Sequence, residues 1–295
     1  MSPPADHGGQ SMCGRLRRVL VCSPAAAGWG DPDRAGRWRA LGYHLPPEEP
    51  AARAEHDELR RLLAASGAEV LSLPESEALS LDAVYTHDAS FVTDRGVVLM
   101  RMGKEERRRE PERHALFYRS AGIPLLGTIE PPGTLEGGDI VWLDRSTLLV
   151  GRGYRSNREG IEQLRALVGA DGIEVLEAPL PHGAGPAACL HLMSLLSILG
   201  DRIAVVDPPW ISVGTVELLQ QRGFEMIPIE GAERGTMAAN VLSLGERRLV
   251  ALADNRATNR RLEERGFAVA RLTGSAVAHN GSGGPTCLTR PILRD

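Results

Sequence analysis

Five segments of the chain share one pattern, in which a helix-like run ends at a glycine and a strand-like run follows at once. They read LRRLLAASG-AEVLSL, HALFYRSAG-IPLL, IEQLRALVGADG-IEVLEA, VELLQQRG-FEMIPI and RLEERG-FAVARL. Their glycines are Gly67, Gly122, Gly172, Gly223 and Gly266, spaced 55, 50, 51 and 43 residues apart. Glycine is favoured there because the residue after a helix takes a left-handed conformation that a Cβ opposes. Between them lie four short polar turns flanked by apolar runs, at Thr93–Gly96, Asp144–Ser146, Gly200–Arg202 and Gly245–Arg247, and these predict hairpins. Each unit reads strand–turn–strand–helix–strand. Ser156-Asn-Arg-Glu159 has the form of a capping box and is predicted to open the third helix.

A fixed period predicts repeated modules around a shared core. The hairpin missing from the series has its two candidate strands at the chain ends, in Leu16–Ser23 and around Cys287–Leu293. Pairing them would close a ring and leave few exposed edges. The expectation is one closed α/β domain over residues 16–295. An open α/β sheet, which also alternates helix and strand, is the alternative. Residues 1–15 are polar, contain Pro and Gly and lack an apolar segment, so a disordered leader is expected rather than a signal peptide. Residues 24–50 interrupt the period, are rich in Pro and Gly, and carry Trp29, Trp38 and Tyr43, which predicts a lid loop.

Composition narrows the function. A chain of 295 residues that is 42% hydrophobic is neither fibrous nor largely disordered. Thirty-four Lys and Arg against 38 Asp and Glu give a net charge of −4, which argues against nucleic-acid or membrane-surface partners. No apolar run approaches the ~20 residues of a membrane helix. Four scattered cysteines, Cys13, Cys22, Cys189 and Cys287, form no C-x-x-C pair and no disulfide framework, so a cytoplasmic location is expected. The charge run Lys104–His114 is mixed in sign and is expected to be a solvated face. Cys189 and His191 lack the further ligand spacing that a metal site needs. Residues 150–155 lack the phosphate-loop pattern.

Polar residues recur at the start of the first hairpin strand of successive units: His87-Asp88, Glu136-Gly-Gly-Asp139, His191 and Asn240. Cys287 follows Gly281-Ser-Gly-Gly284 and enters the strand that would complete the fifth unit. Taken singly, each has an ordinary structural reading: a small buried cysteine, a glycine turn, an aspartate bracing a loop. Sharing one phase of the repeat, they are expected to converge. A thiol beside an imidazole is an activated nucleophile. Two carboxylates in one pocket demand a cation, and a planar guanidinium offers them paired N–H donors. The set suggests attack of sulfur on a guanidinium or amidine carbon.

Leu135-Glu-Gly-Gly-Asp139, His191-Leu192 and the glycine-rich approach to Cys287 resemble the guanidino-group modifying superfamily of arginine deiminases, amidinotransferases and dimethylarginine dimethylaminohydrolases. The resemblance implies the five-bladed α/β propeller, or pentein, with pseudo-fivefold symmetry. The dimethylaminohydrolase branch is the most similar. Val84-Tyr-Thr-His-Asp88, followed by Val97-Val-Leu-Met-Arg101, resembles its acidic strand and following arginine. Residues 150–157 resemble its segment with a second arginine. By this resemblance Asp88 and Asp139 bind substrate, and Arg101 and Arg155 hold its carboxylate. Glu136 orients His191, His191 moves the protons, and Cys287 forms a covalent thiouronium intermediate. No metal or cofactor is expected, the partner is a small guanidino molecule, and the oligomeric state is open, a homodimer included.

Two residues depart from the pattern. His87 stands where the branch carries an acid. Met193 stands where deiminases and amidinotransferases carry an aspartate. A thioether accepts hydrogen bonds poorly and packs against methyl groups, so N-methylated arginine, giving citrulline and an alkylamine, is the expected substrate. The alternatives are an arginine deiminase or dihydrolase, an amidinotransferase, and a binding-only propeller. The last has no reason to keep a Cys, a His and two acids at one phase of its repeat.

Overall fold

The five helix–glycine–strand units each build one three-stranded sheet. The computed structural model describes residues 6–186, 188 and 190–295. The first sheet takes β1 (Leu16–Val21), followed by the short α1 (Pro32–Ala35) and then α2 (Glu49–Ala65), and β2 (Glu69–Ser72). The second is β3 (Ser90–Thr93) and β4 (Gly96–Leu99), then α3 (Glu110–Ser120) and β5 (Leu125–Thr128). The third is β6 (Ile140–Asp144), β7 (Thr147–Arg152), α4 (Arg158–Gly169) and β8 (Glu174–Pro179). The fourth is β9 (Leu196–Gly200), β10 (Ile203–Val206), α5 (Val213–Gln221) and β11 (Glu225–Pro228). The fifth is β12 (Leu242–Gly245), β13 (Arg248–Leu252), α6 (Arg256–Glu264) and β14 (Ala268–Leu272), and the chain then ends in β15 (Arg290–Arg294).

The same connection recurs in the second to fifth units. A hairpin pairs two strands antiparallel, and a helix then carries the chain across to a third strand parallel to the second, as in β3–β4–β5 and β6–β7–β8. All four predicted turns join such hairpins, and all five glycines have positive φ, between 70° and 88°. The first and last strands share a sheet: β1 pairs antiparallel with β15, Leu20 opposite Arg290, and parallel with β2. The β3–β4 hairpin is buried throughout: β4 reads as an apolar run, and the buried Ser90 and Thr93 of β3 are hydrogen-bonded, to Tyr118 Oη and Gly96 O. Neighbouring sheets pack through large side chains. Phe91 of β3 stacks on Trp142 of β6 with ring centroids 5.4 Å apart, and Ile161, Leu164 and Val168 of α4 bury against the same cluster. Each such side chain contributes roughly 1.5–3 kcal/mol.

Two sequence expectations change here. Residues 1–5 lie outside the described residues, but 6–15 are ordered rather than a disordered leader. Gly8 N–H donates to Ile292 O at 2.8 Å, Gly9 N–H donates to Asp94 Oδ1 at 2.6 Å, and Arg294 donates to Gly14 O at 2.6 Å. Polar composition predicted disorder, yet the segment meets its partners through the backbone, which composition does not reveal. The N-cap of α4 is Asn157, whose Oδ1 accepts from Gly160 N–H at 2.9 Å, rather than Ser156. No helix among the described residues is long and apolar enough to cross a membrane.

Candidate active site

A cavity of about 640 Å³ is lined by Cys287, His191, Asp88 and Arg155, residues from four different units. Each of the first three sits just outside a strand. Asp88 lies two residues before β3, His191 opens a single 3-10 turn (Leu192–Ser194) before β9, and Cys287 lies three residues before β15. Three members of the shared repeat phase, Asp88, His191 and Cys287, meet at this cavity.

Glu136 lies fully buried behind His191 and does not line the cavity. Its Oε2 is 2.7 Å from His191 Nε2, and its Oε1 accepts from Gly103 N–H at 2.9 Å and from Arg155 Nη1 at 3.0 Å. A carboxylate can only accept, so Nε2 carries the imidazole proton and Nδ1 is the nitrogen that faces Asp88 Oδ1, at 3.9 Å. Burial would raise the Glu136 pKa. The His191 hydrogen bond and the Arg155 charge outweigh burial and hold the carboxyl below its ordinary range. Gly138 is required between these groups, because a Cβ there would lie 2.6 Å from His191 Nδ1 and 2.8 Å from Asp88 Oδ1.

Asp88 Oδ1 accepts from Gly138 N–H at 3.0 Å, and Oδ2 accepts from Arg107 Nη1 at 2.6 Å. Burial would raise its pKa, but the charges of His191 and then Arg107 hold it far below the carboxylate range. Arg107 is buried and reaches Glu110 with two further donors, at 2.9 and 2.8 Å. The charge run Lys104–His114 is therefore a solvated face only in part, with Glu105, Glu106, Arg108, Arg109 and Glu112 exposed. Arg107, Glu110 and His114 are all buried, and Lys104 Nζ lies 2.5 Å from both Asp82 Oδ2 and Leu41 O on the cavity wall. Its buried positions continue into α3 with the 107-110-111-114-115-118 spacing of one helix face, a pattern that the mixed charge of the run masks.

Several assigned residues stand elsewhere. Arg101 does not line the cavity, and its Nη1 donates to Gly133 O at 3.1 Å. Lys104 and Arg107 line the cavity instead, Lys104 paired with Asp82 and Arg107 with Asp88 and Glu110. Asp139 is fully buried outside the cavity, accepting from Leu192 N–H at 2.9 Å and from Ser156 Oγ at 2.5 Å, so it braces the turn that carries His191. His87 also stands outside. Its N–H donates to Cys287 O at 3.1 Å and its Nδ1 lies 2.7 Å from Thr289 O, tying the Asp88 segment to the Cys287 loop. Burial, and after it the charge of Arg290, push its pKa down to about 3. Met193 is buried in an apolar cluster with Leu196 and Leu219 and does not reach the cavity, so it cannot pack against a substrate methyl. Cys189 lies outside the described residues.

The 24–50 segment forms one wall through Ala40, Leu41, Gly42 and His44. Trp29 and Tyr43 are buried edge to face at 5.5 Å, and the Trp29 indole donates to Leu81 O at 3.1 Å. These two aromatics are anchored in the core, while Trp38 is only partly buried.

A cysteine, an imidazole backed by a carboxylate and a second carboxylate at one cavity define a guanidino-group modifying enzyme. The chain belongs to the N,N dimethylarginine dimethylhydrolase family, whose eukaryotic model matches residues 47–294. An uncharacterized protein of Aeropyrum pernix is 32% identical over 215 residues, 72% of this chain and 73% of its own length. The N(G),N(G)-dimethylarginine dimethylaminohydrolase of Streptomyces coelicolor is 30% identical over 189 residues, 62% of this chain and 69% of its own. The DDAH of Pseudomonas aeruginosa, solved in complex with citrulline, superimposes with a TM-score of 0.76 at 24% identity, covering 95% of this chain and 100% of that one.

Proposed function

We propose that the protein hydrolyses a guanidino C–N bond of an N-methylated arginine, dimethylarginine above all, to citrulline and an alkylamine, with Cys287 as nucleophile. The observation that carries the reading is the meeting of Cys287, His191 and Asp88 at one cavity, with Glu136 fixing the His191 tautomer. Family membership supports the methylated substrate, a support that Met193 does not give. We take residues 16–295 as one catalytic domain, its five sheets closed around a pseudo-fivefold axis.

Asp88 holds the substrate guanidinium. Both of its oxygens already accept one hydrogen bond, and each has capacity for another. The Cys287 thiol first passes its proton to His191 Nδ1, the thiolate attacks the central carbon, and Nδ1 returns that proton to the alkylamine as its C–N bond breaks. Water then adds to the thiouronium carbon, His191 takes its proton, and the S–C bond breaks to release the ureido product. Arg155, the arginine on the cavity wall that does not pair with Asp88, is assigned to the substrate carboxylate.

The test is product analysis with arginine, monomethylarginine and dimethylarginine. Citrulline with dimethylamine, at the highest kcat/KM for dimethylarginine, is expected. Ammonia released fastest from arginine would make the protein a deiminase, ornithine a dihydrolase, and amidine transfer to an added amine a transferase.

A further inference from the structure

We propose that Asn240 is a catalytic residue that holds Cys287 as a thiolate. Asn240 occupies the repeat phase of the site residues but takes no part in the proton transfers above. It is buried at 2% exposure, and its Nδ2 donates to Cys287 Sγ at 3.1 Å. The orientation of the amide is fixed by chemistry. Its Oδ1 accepts from Thr286 N–H at 3.0 Å, and a backbone N–H can only donate, so the oxygen must face Thr286 and the NH2 group must face the sulfur. Met193 O takes a second, longer bond from Nδ2 at 3.4 Å, which steadies the group from the other side. Gly284 makes the approach of this amide possible, because a Cβ at 284 would lie 2.6 Å from Asn240 Oδ1.

An amide N–H is a weak partner for a neutral thiol and a good one for a thiolate, because hydrogen bonds to a charged acceptor are stronger. Asn240 therefore favours the ionised sulfur at the two points where it exists. Before attack, the sulfur electron pair receives the N–H. As the S–C bond forms, the pair is shared with carbon and the hydrogen bond weakens. When water displaces sulfur from the thiouronium carbon, the pair returns to sulfur and the hydrogen bond re-forms. The amide thus aids the leaving of sulfur as well as its attack.

The inference rests on Cys287 being the nucleophile, so its readout needs no substrate. The pH dependence of Cys287 alkylation by iodoacetamide, followed at that residue by peptide mass spectrometry, gives the thiol pKa in the parent, N240A and N240D. Asn240→Asp is nearly isosteric and keeps the acceptor for Thr286 N–H, so it preserves the loop while replacing donor by acceptor. A rise of about one to two pH units in N240A, and at least as large a rise in N240D, is expected. An unchanged pKa in folded N240A overturns the proposal whatever N240D does, because a carboxylate beside the sulfur raises the pKa by repulsion alone, and leaves Asn240 a brace for Thr286. Failure of the product analysis with dimethylarginine would not move this titration, so the two readings fail separately.

Discussion

Asp139 offers a test that separates bracing from substrate binding. It is fully buried, with Oδ1 on Leu192 N–H and Oδ2 on Ser156 Oγ. Burial is the largest influence on it and lifts the carboxyl from its ordinary 3.8 to about 6. A carboxyl raised in the folded state binds its proton more tightly there than in the unfolded chain. Its ionisation therefore costs nothing below the unfolded pKa and costs most above the folded one, so folding loses stability as pH rises between them. About two pH units correspond to ~3 kcal/mol. The amide introduced by Asp139→Asn cannot ionise. Its Oδ1 can keep Leu192 N–H and its Nδ2 can donate to Ser156 Oγ, at the loss of about 1 kcal/mol for the Ser156 proton that no longer has its acceptor. In urea titrations, D139N should be more stable than the parent by roughly 1–2 kcal/mol at about pH 8 and less stable by about 1 kcal/mol near pH 4. Its kcat/KM should stay within about tenfold of the parent, since the carboxylate supports the His191 turn without touching the cavity. A stability difference independent of pH would refute the electrostatic argument. A loss of activity approaching that of Cys287→Ser would return Asp139 to the substrate.

The remaining predictions follow from the same contacts. Arg107→Met leaves the buried Asp88 and Glu110 carboxylates without their shared cation, and should cost about 3–5 kcal/mol of stability by chemical denaturation. Glu136→Gln should lower kcat by about 10²–10⁴. Because Glu136 titrates low in the fold, its stabilisation is complete above its ordinary 4.5 and lost as pH falls below it, so E136Q should flatten the acid limb of a stability–pH profile. Lys104→Met removes the link from Asp82 to Leu41 O, and trypsin should then cut after the exposed Arg37 and Arg39 about tenfold faster or more. An unchanged cleavage rate would mean that the 38–45 wall is held by other contacts.

The fold was legible because its two strongest signals are backbone requirements. A left-handed residue after each helix needs Gly67, Gly122, Gly172, Gly223 or Gly266, and each hairpin needs a short polar turn, so the units could be counted in the sequence. The converging site residues followed from their phase in that count. What failed to show was the direction of side chains off short 3-10 turns. Glu136 precedes one such turn (Gly137–Asp139) and Asp139 ends it, yet Glu136 points to His191 Nε2 and Asp139 to Leu192 N–H. His191 precedes another (Leu192–Ser194) and Met193 lies within it, and one faces the cavity while the other faces the core. The choice between Arg101 and Arg107 was hidden for a related reason. Several arginines follow β4, and only the path of residues 103–107 decides which one returns to Asp88.

The most direct test of the central claim is to quench the enzyme in acid during turnover of dimethylarginine and map the adduct by peptide mass spectrometry. Cys22 is fully buried and Cys13 lies away from the cavity, so neither should react. A substrate-derived mass on Cys287 alone, absent when substrate is omitted and absent in Cys287→Ser, is the predicted result. Turnover that persists in Cys287→Ser, or an adduct on another residue, would contradict it.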